Sequence, residues 1–234
     1  MIKNYLFDLD GTLLPLNEEE FIEKYMTLIG KKFYELGLDS KEMVRRLWQG
    51  TKAMVENNGL RLNEDVFWEI FYTESNKQDD LKTKLEDFYR NEFNHVFDAT
   101  SPNDYSKKII EHLKEKGCNI FLLTNPIFPK VATMRRIKWA GLSPDDFTHI
   151  TTYENSSYSK PNTKYYQDII DKFNLKTSET IMVGNDVHED MVASELGIKT
   201  FLVTDCIKNS NNLDYSRFQQ GTLKEFYHEF LFKY

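Results

Sequence analysis

Cysteine is nearly absent from this chain: 234 residues hold only Cys118 and Cys206. Both lie beside expected strands and far apart in sequence, so they read as buried thiols in a reducing compartment rather than a disulfide or metal pair. No apolar stretch approaches the length of a membrane span. Met1-Ile2-Lys3-Asn4 runs straight into an apolar strand instead of a signal segment, so a soluble, cytoplasmic protein with no membrane partner is expected. Basic residues form no long run and the net charge is −7, which argues against a nucleic-acid backbone as the main partner. Internal repeats and low-complexity segments are also missing.

Packing material is plentiful. Hydrophobic residues make up 40% and aromatics 14%, enough for a sizeable core, and the length suits one core with a smaller inserted unit. The chain opens on Tyr5-Leu6-Phe7-Asp8-Leu9-Asp10-Gly11-Thr12, an apolar run that ends on two carboxylates and a glycine. Asp8 and Asp10 alternate with apolar residues and so share one side of a strand end. Asp10-Gly11 is also a hairpin-turn dipeptide, but a hairpin requires a second strand. Pro15 and Asn17-Glu18-Glu19-Glu20 follow instead, a helix start with Asn17 as cap and acids in the first turn.

Four helical patterns then run from Asn17 to about Phe93. They are Asn17 to Leu38, Asp39 to about Asn58 with capping-box spacing at Asp39 and Glu42, a third from Asn63, and a fourth over about Asp79 to Phe93. They read as a small helical bundle. Beyond it strands and helices alternate: a helix Tyr105 to Lys116 entered through Ser101-Pro102, a strand Asn119 to Leu123, a helix Lys130 to Ala140, and a strand His149 to Tyr153. A helix Tyr165 to Phe173, a strand Thr180 to Val183, a helix Glu189 to Leu196, a strand Lys199 to Val203 and a last helix Leu223 to Phe230 complete the series. Such alternation implies an α/β fold with a doubly wound parallel sheet, interrupted after its first strand by the inserted helical bundle. The expected division is a core of residues 1–16 and 95–234 and a helical unit of residues 17–94.

In open parallel sheets ligands bind beyond the carboxyl ends of the strands. Asp8 and Asp10, Thr124 and Asn125, and Gly184-Asn185-Asp186 each fall just past a different expected strand, and Lys160 follows another by a short loop. Singly, each has a plain reading: Thr124 and Asn125 as a helix cap, Lys160 as a solvated loop lysine, Asp186 and Asp190 as an acidic cap with a surface neighbour. Glu189 adds a like charge that disfavours the cluster unless a cation balances it. Together, Asp8 and Asp186 offer hard oxygens that suit Mg²⁺, while Thr124 and Lys160 complete an anion site beside them.

Four motifs, Asp8-Leu9-Asp10-Gly11-Thr12, Thr124-Asn125, Lys160-Pro161 and Gly184-Asn185-Asp186 with Asp190, resemble in residue type and order those of the haloacid dehalogenase superfamily. The helical insertion resembles that family's α-helical cap between its first two motifs. The resemblance implies a Mg²⁺-dependent phosphomonoesterase acting on a small phosphorylated metabolite. It implies Asp8 as nucleophile forming an aspartyl-phosphate, Asp10 as acid and base, and Thr124, Asn125 and Lys160 at the phosphoryl oxygens. Asp8, the Asp10 backbone carbonyl and Asp186 would ligate the metal, with Asp190 orienting that shell. Asp10 argues against dehalogenase chemistry, and the lack of any histidine before His95 argues against a β-phosphoglucomutase-like mutase. A phosphonatase would need a cap lysine, for which Lys24 is the candidate. A phospho-ligand-binding module without turnover is the alternative of a different class. Arg45, Arg46, Lys52 and Arg61 offer charge to an anionic substrate, and Trp48 and Trp68 offer rings to stack on, although solvated charges and bundle-core aromatics are their plain roles. Leu13 to Leu16 and the region near Asp98 are hinge candidates.

Overall fold

The computed structural model describes residues 1–72 and 80–231. Strand β1 (Asn4–Phe7) is buried along its whole length and lies at the centre of the sheet. On one side stand β2 (Asn119–Leu122) and β3 (His149–Ile150); on the other stand β4 (Thr180–Gly184), β5 (Lys199–Val203) and β6 (Gln219–Gly221). All five pairings are parallel, in the order β3-β2-β1-β4-β5-β6. Continuous apolar runs such as Tyr5-Leu6-Phe7 and Ile181-Met182-Val183 suit strands covered on both faces. Helices α5 (Asp104–Glu115), α6 (Lys130–Trp139) and α7 (Thr163–Phe173) make the crossovers. Two apolar clusters flank the sheet, one including Phe7, Ile109, Ile137 and Phe226, the other Leu6, Phe121, Tyr166 and Met182. The α/β doubly wound core is therefore as the alternation implied.

The inserted block consists of α1 (Glu18–Glu35), α2 (Ser40–Val55), α3 (Asn63–Phe71) and α4 (Leu81–Arg90). Asn17 caps α1, its side chain accepting from Glu20 N, and Phe21, Tyr25, Ile29 and Phe33 form its buried stripe at four-residue spacing. With Met43, Leu47, Phe67, Phe71, Leu85 and Phe88 these residues build a separate apolar cluster, which reaches the core through Ala132 and Tyr153. Asp79, where the fourth pattern starts, lies outside the described residues. The two connections between block and core pair with each other: Asn17 N donates to Ala99 O at 3.0 Å and Ser101 N to Pro15 O at 2.7 Å.

Several local expectations need correction. Asn103, not Ser101, caps α5, because its side chain accepts from both Tyr105 N and Ser106 N. Asp39 caps α2, but Glu42 turns to Arg45 and Arg46 instead of closing a capping box. The strand expected over His149 to Tyr153 ends at Ile150, because Thr152 N turns to the Asn155 side chain. The segment after Asp190 is a 3₁₀ helix, Met191–Leu196, stopped by Gly197 at φ +75°, where glycine carries no steric penalty. A 3₁₀ helix, Glu92–Ala99, follows α4, and the last helix begins as α8 (Leu223–Glu225) and continues as a π-helix over Phe226–Phe230. Strand β6 escapes the alternation rule because Gln219-Gln220-Gly221 carries no apolar residue. Cys118 and Cys206 are free, as expected, but only partly buried. None of the described helices is long and apolar enough to cross a membrane.

Candidate active site

Phe7, the last residue of β1, is level with Leu122 on β2 and Val183 on β4. The next residue of each strand therefore emerges at one sheet edge: Asp8 N donates to Val183 O at 2.9 Å, and Leu123 N to Phe7 O at 2.7 Å. β2 and β4 leave β1 in opposite directions, so this edge is the topological switch point where a crevice opens. Asp8, Asp10, Thr124, Asn125, Asp186 and Asp190 all line one cavity of about 980 Å³ there. Lys160 joins them through its ammonium, which donates to Asp8 Oδ1 at 2.9 Å and to Asp190 Oδ1 at 2.6 Å. Asp8, Asp10, Thr124, Asn125, Lys160, Asp186 and Asp190, from four separate motifs of the sequence, are thus brought together.

Lys160 is 1% exposed, so the solvated-loop reading does not hold. Burial works against its charge, but Asp190 and Asp8 outweigh it and hold its pKa well above the ordinary lysine value. Burial pushes the Asp190 carboxyl up, and the Lys160 charge opposes that rise. Its second oxygen, Oδ2, accepts from Asp186 N at 3.0 Å and so ties the two loop acids together. Asn125 braces the same loops, accepting from Lys160 N at 3.2 Å and donating to Glu189 Oε2 at 3.0 Å. Two glycines permit this closeness. A Cβ on Gly184 would stand 2.2 Å from Asp190 Oδ2, and one on Gly11, at φ +83°, would stand 2.3 Å from Asn185 Nδ2.

Asp10 faces Arg136 on α6, a residue the sequence reading passed over. The two side chains form an ion pair, and the guanidinium also lies over the Phe128 ring at 4.5 Å. Burial raises the Asp10 pKa, with Arg136 pulling it down, Asp8 pushing it up, and Lys160 and the Thr124 hydroxyl lowering it. One signal for Arg136 was available: it stands three and four residues from Thr133 and Ala132, on the face of α6 that also buries Ile137. Glu189 is a second site acid, pushed up to about 7 by burial, with Lys160 opposing and Asp186 and Asp190 adding repulsion. Lys208, also passed over, reaches Glu18 at the start of α1 at 2.6 Å and lies 3.8 Å from Asp186 Oδ2.

The remaining candidates fall outside this cluster. Lys24 pairs with Glu20 at 2.8 Å, Arg45 and Arg46 with Glu42, Lys52 with Glu56, and Arg61 with Glu69. Trp48 and Trp68, in contrast, both line the cavity, and Trp48 is 48% exposed instead of forming bundle core.

No three His, Cys, Asp or Glu side chains among the described residues converge closely enough to enclose a metal ion alone. The donor set still suits Mg²⁺, which accepts a few oxygens and keeps water or phosphate for the rest. Asp8 and Asp186 both line the cavity. Around them five acids, Asp8, Asp10, Asp186, Glu189 and Asp190, outnumber the three basic residues Lys160, Arg136 and Lys208. Asp10 Oδ1 is buried with no hydrogen-bond partner among the described residues.

Known proteins resemble this chain in sequence and in fold. The family model for haloacid dehalogenase-like hydrolases matches residues 2–197. The glyceraldehyde 3-phosphate phosphatase of Methanocaldococcus jannaschii is 26% identical over 229 residues, covering 96% of this chain and 95% of its own. The pyrophosphatase PpaX of Halalkalibacterium halodurans is 25% identical over 216 residues, covering 90% and 87%. Among solved structures, a HAD phosphatase from Thermococcus onnurineus superposes with a TM-score of 0.59 at 20% identity, covering 96% and 95%. The HAD-hydrolase YfnB of Bacillus subtilis, solved bound to magnesium, gives 0.57 at 17% identity, covering 97% of each chain. With its sheet order, its inserted helices and a family match over most of its length, the chain belongs to the haloacid dehalogenase-like hydrolases.

Proposed function

We propose that the protein is a phosphomonoesterase that depends on Mg²⁺ and hydrolyses a small phosphorylated metabolite in two steps. The observation that carries this reading is the Asp8 carboxylate, set at the switch point beside a buried lysine and a surplus of acids. The activities for which the two relatives are named, a pyrophosphatase and a phosphatase, support transfer of a phosphoryl group to water.

Asp8 attacks phosphorus and the bond to the leaving oxygen breaks, which splits one displacement into two easier ones. Asp10 gives a proton to that oxygen, burial shifting its pKa in the direction that favours the protonated form against the pull of Arg136. A water molecule then attacks the aspartyl-phosphate, returning its proton to Asp10 and releasing phosphate. Lys160 and the Thr124 hydroxyl offset charge on the phosphoryl oxygens, and Asn125 fixes the loop that carries Lys160. Asp8, Asp186 and the Asp10 carbonyl would hold Mg²⁺, which supplies charge neutralisation at the transferring group. Asp190 positions both Lys160 and Asp186. Residues 17–94 act as a cap over the core of 1–16 and 95–234, with the paired crossings at Leu16 and Thr100 as its hinge.

A phosphonatase role for Lys24 has no support, since that side chain is engaged with Glu20. Release of p-nitrophenol from its phosphate ester with Mg²⁺ tests the reading. It predicts turnover that Asp8→Asn abolishes; no release, or release unchanged in that variant, overturns it.

A further inference from the structure

The cavity does not stop at the acids. From Asp8 and Asp10 it continues into the helical block, where Phe21, Tyr25, Leu47, Trp48, Phe67 and Trp68 form its walls. Its volume of about 980 Å³ lies at the upper end of what drug-sized ligands need and far exceeds what a phosphoryl group with a few carbons occupies.

Several polar atoms on these walls are already engaged. Tyr25 and Tyr89 join through their hydroxyls at 2.7 Å, Trp68 Nε1 donates to Tyr153 Oη at 3.3 Å, and Thr51 Oγ1 donates to Leu47 O at 2.9 Å. The cap arginines Arg45, Arg46 and Arg61 spend their charge on neighbouring glutamates. A sugar, a polyol or a second phosphate needs convergent hydrogen bonds and charge, and burying its polar groups without partners is costly. A hydrocarbon or an aromatic ring needs only surface to cover.

We propose that the substrate is the phosphate monoester of a bulky, largely apolar alcohol, whose hydrocarbon portion occupies the cap side of this cavity. The proposal rests on the phosphomonoesterase reading above. In it, Tyr25, Leu47, Phe67 and Trp68 set specificity through apolar contact, while the acids and Lys160 handle the phosphoryl end common to all substrates.

Ethyl, butyl, hexyl and octyl phosphate compared with glycerol 3-phosphate, all esters of primary alcohols, test it with little change in leaving-group chemistry. Each buried methylene raises kcat/KM by about fourfold until the cavity is filled, and butyl phosphate exceeds glycerol 3-phosphate by at least about tenfold. Ile22 and Thr51 also line the cavity, and Ile22→Asp charges the wall while Thr51→Trp fills it. Each lowers the octyl-to-ethyl ratio of kcat/KM by about tenfold, read on protein whose thermal unfolding shows it folded. A flat alkyl series, or a preference for glycerol 3-phosphate, overturns the substrate class and leaves the phosphomonoesterase reading standing. Failure to hydrolyse any ester, p-nitrophenyl phosphate included, overturns both.

Discussion

The guanidinium of Arg136, on a side chain 1% exposed, ends on the carboxylate of Asp10. It links a crossover helix of the core to the loop that follows the first strand, 126 residues away in sequence.

Breaking that pair from one side strands a buried charge, which costs far more than losing a surface ion pair. Arg136→Met should destabilise the protein by about 3 kcal/mol in urea unfolding. Adding Asp10→Asn removes the unpaired carboxylate, so the double variant should regain most of that loss while remaining inactive. Strictly additive losses would show that the two side chains are not coupled.

Gly184 makes a packing prediction. A methyl group on Gly184 meets the Asp190 carboxylate, which holds both Lys160 and Asp186. A displacement of about 1 Å at a catalytic site costs about a hundredfold in rate. Gly184→Ala should therefore lower kcat/KM on p-nitrophenyl phosphate by about that factor while keeping its circular dichroism. Activity within twofold of the parent would mean that Asp190 is not held by this contact.

Much of this arrangement was legible in the sequence because it depends on strand ends. An apolar run followed at once by Asp8, Thr124 or Gly184 locates the edge of a parallel sheet, and parallel register brings those edges together. Lys208 was not legible, because it reaches the site from a loop whose partners are distant in sequence, and for Arg136 the helical spacing showed only a buried face and not its distant partner Asp10. Trp48 was misjudged for a related reason. Helical spacing shows that a residue shares a face, but not whether that face meets a neighbour or an open cavity. Local detail was lost where side chains compete for backbone groups, as Asn103 does at the start of α5.

The proposed use of Mg²⁺ makes its own prediction. Chelation with EDTA should abolish turnover and Mg²⁺ should restore it. Asp186→Ala should raise the Mg²⁺ concentration for half-maximal rate by at least about tenfold, in keeping with the loss of one of few protein oxygens. Full activity in EDTA would rule out this use of the carboxylates.

Acid sensitivity has a source away from the site. His149 on β3 packs against Phe173 at 5.2 Å, and burial, with Lys172 adding repulsion, pushes its pKa down from 6.5 to about 4. The unfolded chain therefore binds the proton more readily between those values, and native stability falls as pH drops from 6.5 to 4. Allowing for partial exposure, the loss is about 1–2 kcal/mol. His149→Gln should lack that component when unfolding is compared at pH 7, 5.5 and 4.5, and an identical pH dependence in parent and variant would exclude His149 as its source.

In the proposed reaction Asp8 carries the phosphoryl group. Rapid acid quenching during turnover of a phosphate ester labelled at phosphorus, with Mg²⁺ present, followed by peptide mapping, tests it most directly. The parent protein should yield label on the peptide containing Asp8, removed by hydroxylamine as an acyl phosphate is, and Asp8→Asn should yield none. A covalent adduct that persists in Asp8→Asn, or label mapping to another residue, would contradict the account.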